Sequence, residues 1–168
     1  VDSPTGLEPN GRIFLMSLDD MKEKAGDNLW NVRLEVFESI HQEIESRSMG
    51  SLEMSNVRMD AFVELCIAHA GDIHAKVAVE CMQTLGLCVE RLPDSLSNKL
   101  GPLCICLFQR LTDRRASIQS SAQQLLNTIR ETFDPALLLQ SLSPKVAEVP
   151  DRLRTALFQY LGAIVAHC

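Results

Sequence analysis

The sequence predicts an all-α protein, an α-solenoid of about four stacked antiparallel helix pairs, and three observations predict it. One apolar ladder occurs four times, as VRLEVFESI from Val32, VAVECMQTL from Val77, IQSSAQQLL from Ile118 and LRTALFQYL from Leu153. The first position is aliphatic in every copy, the fifth is Val36, Cys81, Ala122 or Leu157, and the ninth is Ile40, Leu85, Leu126 or Leu161. That phasing is helical. The ladders start at intervals of 45, 41 and 35 residues, the spacing of stacked helix pairs. The composition agrees: 46% of the residues are apolar and only 5% aromatic, which suits helices around an aliphatic core.

The elements follow in order, with pairs over about 12–48, 55–91, 94–133 and 135–168. The leader 1–11, rich in Pro, Gly and polar residues, is expected to be flexible and to lie outside the fold. The first helix, from about Arg12 to Lys24, places Phe14, Leu18 and Met21 on one face and ends before Gly26. In the second pair Met59, Phe62, Val63, Cys66 and Ile67 form one amphipathic face. Gly71 is expected to close that helix in a left-handed turn, and Asp72 to cap the next helix. Gly101 and Pro102 interrupt the third pair, so a kink or a restart is expected there. In the fourth, Pro135 fits a first helical turn, Pro144 ends or bends the helix of Leu137, Leu138 and Leu142, and Pro150 marks the start of the last ladder. Gly86 and Gly162 share one ladder column, where close helix packing is the expected reason for glycine.

A helix pair cannot bury its apolar face alone, and stacking on a neighbour removes that face from water. The last ladder still carries Leu157, Phe158, Leu161, Ile164 and Val165. We therefore expect a piece of a longer array, or an end that packs on another chain.

The charge of −6 argues against a nucleic-acid binder, which relies on a surplus of Lys and Arg facing phosphates. No apolar run is long enough to span a membrane, and the N-terminus lacks the features of a secretory signal. Cys66, Cys81, Cys88, Cys104, Cys106 and Cys168 include no C-x-x-C pair and several fall in apolar helix columns. Buried reduced thiols are expected, with no metal and no cofactor. Cys104 and Cys106 are expected on diverging sides of a half-buried helix. His41, His69, His74 and His167 are scattered over different repeats, and no phosphate-cradling loop or nucleophile motif accompanies them. The expected protein is not an enzyme.

Function is then expected on the loops inside the pairs, which equal columns place along one edge. They read Asp27-Asn28-Leu29-Trp30, Asp72-Ile73-His74-Ala75-Lys76, Asp113-Arg114-Arg115 and Asp151-Arg152-Leu153-Arg154. Helix capping accounts for Asp72, Asp113 and Asp151. The bases Lys76, Arg114, Arg115, Arg152 and Arg154 lie in first turns, where the helix dipole disfavours cations, and their recurrence suggests a surface that meets an acidic partner. Trp30, the only tryptophan, sits beside Asn28 and Asn31 outside the apolar columns, as an interface anchor would.

The segment LWNVRLEV, the third-pair run LGPLCICLFQRLTDRRASIQSSAQQLL and the helical array between them resemble a TOG domain, the tubulin-binding HEAT-repeat module. The tail LLQSLSPKVAEVPDRLRTALFQYLGAIVAHC is most similar to C-terminal TOG domains of the cytoplasmic linker-associated proteins, the CLASP family. The likeness spans about Arg12 to Cys168, and the early Trp30 separates TOG from other HEAT arrays. TOG domains normally have six repeats, and four are present here. The resemblance implies a noncatalytic, HEAT-like module that binds the tubulin heterodimer or the microtubule lattice. Trp30, Ile73, Arg114 or Arg115, and Arg152 would form its edge, with Lys76 adjacent. It also implies a cytoplasmic, cytoskeletal setting at microtubule plus ends, the spindle or the kinetochore, and regulation of microtubule dynamics. A TOG-like scaffold that binds an adaptor protein is the alternative.

Overall fold

The computed structural model describes residues 16–46 and 56–166, which hold nine α-helices and no strand. The leader, the start of the first expected helix with Phe14, and His167 and Cys168 lie outside the described residues. Helix α1 (Leu18–Ala25) begins at Ser17, whose hydroxyl accepts the Asp20 amide at 3.1 Å, and buries Met21 and Ala25 against α2 (Trp30–Ser46). Next, α3 (Asn56–His69) pairs with α4 (Ala75–Arg91). The third pair restarts as the sequence suggests. A short α5 (Pro93–Leu96) and a 3₁₀ turn over Ser97–Lys99 precede α6 (Leu100–Arg110), which packs on α7 (Ala116–Thr132). Pro102 stands in the first turn of α6, where its missing N–H costs nothing.

Asp134 caps α8 (Pro135–Leu142) by accepting the Ala136 and Leu137 amides, and Pro144 lies in the 3₁₀ turn that ends it. Pro150 then precedes α9 (Asp151–Val165).

Two rows of helices result. In one, α2, α4 and α7 pack side by side; in the other, α1, α3, α6 and α8 follow one another. The sixth ladder column shows what this packing removes from water. Phe37 and Met82 are buried where α4 follows α2 and α7 follows α4, whereas Gln123 and Phe158 are exposed. Burying such a side chain contributes about 1.5–3 kcal/mol. Helix α9 departs from the row: it packs on α6 and α8, and it reaches α7 through the Tyr160 hydroxyl, which donates to the Leu126 carbonyl at 2.8 Å. A cleft of about 200 Å³ lined by Phe108, Gln123, Leu126 and Tyr160 separates the two. Leu161, at the ninth ladder position, is accordingly only half-buried.

Three local expectations are corrected. No described glycine has a positive φ, so Gly71 makes no left-handed turn; a Cβ there would come within 2.7 Å of the Arg110 guanidinium, which occupies that space instead. Gly162 has nothing near its missing side chain, and Gly86 has only ordinary contact with Leu125. The close approach falls at Gly101, where a Cβ would lie 3.1 Å from the Ser141 carbonyl of α8. Finally, Cys104 and Cys106 are both buried, because α3, α7, α8 and α9 all pack around α6. Burial pushes the thiols of Cys88 and Cys104 up to about 12 and that of Cys106 to about 11, and all five described cysteines are free. Such thiols stay protonated and unreactive.

Candidate protein-binding edge

Three of the four loops are built alike. Asp27, Asp72 and Asp113 each stand five residues before a ladder. Each accepts through Oδ1 the amide two residues ahead: Leu29 at 2.7 Å, His74 at 2.8 Å and Arg115 at 2.9 Å. These are Asx turns that close just before the helix, so the aspartates are not N-caps; His74 and Arg115 occupy the cap positions of α4 and α7 without a capping side chain. Arg114 and Arg115 therefore precede α7 rather than lying in its first turn. The fourth loop differs. Glu148 fills the corresponding column and binds Lys145 at 2.9 Å, while Asp151 is the first residue of α9 and pairs with Arg154 at 2.9 Å.

Two arginine forks, one buried and one half-buried, tie the three similar loops together. Arg33 of α2 sends Nε and Nη2 to the two carboxylate oxygens of Asp72, both at 2.8 Å, and Nη1 to the Asp27 and Asn28 carbonyls at 2.8 and 3.1 Å. It thereby links the first loop to the second. Arg115 repeats the device one pair later: Nε and Nη2 hold Asp113 at 2.9 Å each, and Nη1 donates to the Ile73 and Asp72 carbonyls at 2.8 and 3.2 Å. Two-pronged contacts of this kind fix orientation as well as distance. Burial pushes Asp72 upward, but hydrogen bonds from Arg33, the His74 amide and His69 outweigh it and hold the carboxyl at about 2. The Arg115 fork likewise holds Asp113 far below the usual carboxylate range.

On this frame lies an apolar strip that the core does not require. Trp30, the first residue of α2, keeps 39% of its surface exposed; Leu29 and Ile73 keep 61% and 91%. The indole lies flat on the His74 ring, with centroids 4.0 Å apart and planes 7° from parallel, so the first and second loops also touch through side chains. His74 Nδ1 is buried without a hydrogen-bond partner. Lys76 Nζ stands 5.5 Å from the Trp30 ring centroid, within cation–π reach. Arg114 is exposed beside the clamped Arg115.

No family model matches the chain, and no curated protein is significantly similar to it.

Each expected edge residue thus has a definite place. Trp30, Ile73 and Lys76 gather on the first two loops, and Arg114 lies on the third, which Arg115 ties to the second. Arg115 is half-buried and committed to the frame, so it is a positioning residue rather than an outward cation. Arg152 is exposed on α9, and among the described residues no hydrogen bond joins its loop to the other three. Sequence reasoning missed Arg33, His74 and Leu29. The signal for Arg33 was available: it is the only arginine at a second ladder position whose copy is followed, five residues before the next ladder, by an aspartate. Among the described residues no group of three or more His, Cys, Asp or Glu is placed to hold a metal ion, and no helix is long and apolar enough to cross a membrane.

Proposed function

We propose that this chain is a noncatalytic tubulin-binding module, a four-pair α-solenoid of the HEAT-repeat TOG type from a CLASP-like regulator of microtubule dynamics. The observation that carries the reading is the exposed Trp30, held flat on His74 at the head of α2 and flanked by Leu29, Ile73 and Lys76. Exposed aromatics with apolar and basic neighbours are what interface hot spots favour. Trp30 and Ile73 supply the contact area, and Lys76 and Arg114 pair with carboxylates on tubulin. The Arg33 and Arg115 forks preorganise the loops, so little ordering entropy is lost on binding. Arg152 contributes at the margin. Such a module works in the cytoplasm on microtubules, at plus ends, the spindle or the kinetochore.

A gel-filtration titration with tubulin at low and physiological salt tests this. Complex formation that weakens with salt and is lost in Trp30→Ala with Arg114→Ala supports it; binding unchanged in that double variant overturns it. Arg115 is left intact, since its loss would disturb the frame itself. A second reading, a scaffold for an adaptor protein, is favoured by one separate feature: Phe158 and Val165 are 55% and 57% exposed on one face of α9. Adaptor capture through Phe158 without tubulin binding would establish it.

A further inference from the structure

The third loop carries a motif of which the binding edge uses only the two arginines. Arg114-Arg115-Ala116-Ser117-Ile118 sets two guanidinium groups three and two residues before a serine, a small residue between, and a large aliphatic residue after it. Serine/threonine kinases whose substrate groove is lined with carboxylates select this arrangement: the acids pair with both arginines, and an apolar pocket takes the residue after the acceptor. Each element is chemically specific. Thr155, the nearest comparison, has Arg152 three residues before it but Leu153 in place of the second arginine and Ala156 after it.

The structure places the acceptor within reach. Ser117 is exposed on the first turn of α7, and no hydrogen bond engages its hydroxyl among the described residues. Arg114 is exposed and makes no ion pair among the described residues. The first bonds of α7 run from the Ile118 and Gln119 amides to the Arg115 carbonyl, so the Ala116 and Ser117 amides stand outside the hydrogen-bond ladder, and opening the turn releases only the few carbonyl bonds at its start. Two groups resist: Ile118 is fully buried, and Arg115 holds Asp113 and the second loop. A kinase that reads an extended segment must open this turn, a local event that leaves the rest of the helix in place.

We propose that Ser117 is a phosphoacceptor for an arginine-directed serine/threonine kinase, and that its phosphorylation discharges this part of the edge. Ser117 Oγ attacks the γ-phosphorus of ATP and forms the Oγ–P bond. Its proton passes to the kinase's general base, the bond from the γ-phosphorus to the bridging oxygen breaks, and ADP leaves. The product carries about −2 charge at the first turn of α7, where the helix dipole stabilises it. The new charge neutralises Arg114 and competes with Asp113 for Arg115. Ser117 also occupies the ladder column of Lys76, and α4 and α7 pack side by side, so the phosphate faces the same side as that cation. An acidic partner is then repelled, a consequence that rests on the function proposed above.

The test incubates the full chain with ATP and the catalytic subunit of cAMP-dependent protein kinase and reads intact mass and peptide maps. One phosphoryl group on Ser117 is expected, absent in Ser117→Ala and at least about tenfold slower in Arg114→Ala, with Thr155 unmodified. The rate should lie below that of a synthetic peptide spanning 111–121, because the turn must open. Label that persists in Ser117→Ala, or a folded chain that stays unmodified while the peptide is fully phosphorylated, overturns the proposal. This readout does not depend on tubulin: a phosphorylated chain that never binds tubulin leaves the site standing and removes the binding reading.

Discussion

The first three loops and the fourth are made from similar residues, aspartates with basic residues nearby at helix starts, yet they are different structures. In the first three, carboxylate and guanidinium are buried or half-buried and bridge neighbouring pairs; Arg33 joins loops one and two, and Arg115 joins two and three. In the fourth, Asp151 and Arg154 pair with each other on the surface, with side chains 89% and 45% exposed. The difference follows the helices beneath. Where α2, α4 and α7 pack in a row, the loops above them come close enough to share donors; where α9 leaves the row, no hydrogen bond joins its loop to the other three among the described residues. Composition thus proposes an edge, and helix packing decides how much of it is rigid.

The sharpest way to break this comparison is Arg33→Ala. It strands the buried Asp72 charge and should cost about 3–5 kcal/mol in urea or thermal unfolding. Arg154→Ala in the fourth loop loses an exposed ion pair and one hydrogen bond to the Val149 carbonyl at 3.3 Å and should cost no more than about 1 kcal/mol. Acid titration comes next. The Asp72 carboxyl is held at about 2 in the fold, below its ordinary value, so its contribution is present above about pH 4 and is lost as pH falls towards 2. That contribution is on the order of 2 kcal/mol, and Asp72→Asn should flatten the acid limb of a stability curve while Asp151→Asn leaves it unchanged.

Arg115→Ala should cost about 1–3 kcal/mol, less than Arg33→Ala because the remaining Asp113 is better solvated. The smallest effects come from glycines. Gly101→Ala presses on the Ser141 carbonyl and should destabilise by about 1 kcal/mol, whereas Gly162→Ala meets open space and should stabilise by up to about 1 kcal/mol through helix propensity, both read as shifts in thermal midpoint.

Much of the helical layout was legible because it rests on periodicity: the ladders, the restart before Gly101 and the prolines at 135, 144 and 150 are local signals. The frame of the edge was less so. Arg33 sits between Val32 and Leu34 and reads as a solvated helix residue, since its partner Asp72 is 39 positions away. Arg115 reads as one of two equivalent bases, and its fork onto Asp113 and the second loop's carbonyls distinguishes it from Arg114. The glycine roles were misread for the same reason: Gly101 matters through α8, and Gly162 shares a column with Gly86 but has open space where its side chain would be.

The most direct test of the edge is a pair of tubulin titrations, Trp30→Ala against Phe158→Ala. Both remove an exposed aromatic, one on the clamped loops and one on α9. Trp30→Ala is expected to weaken binding by about thirtyfold or more, the scale of a hot-spot residue, and Phe158→Ala to leave it within about twofold. Equal effects, or loss in Phe158→Ala alone, would contradict that expectation.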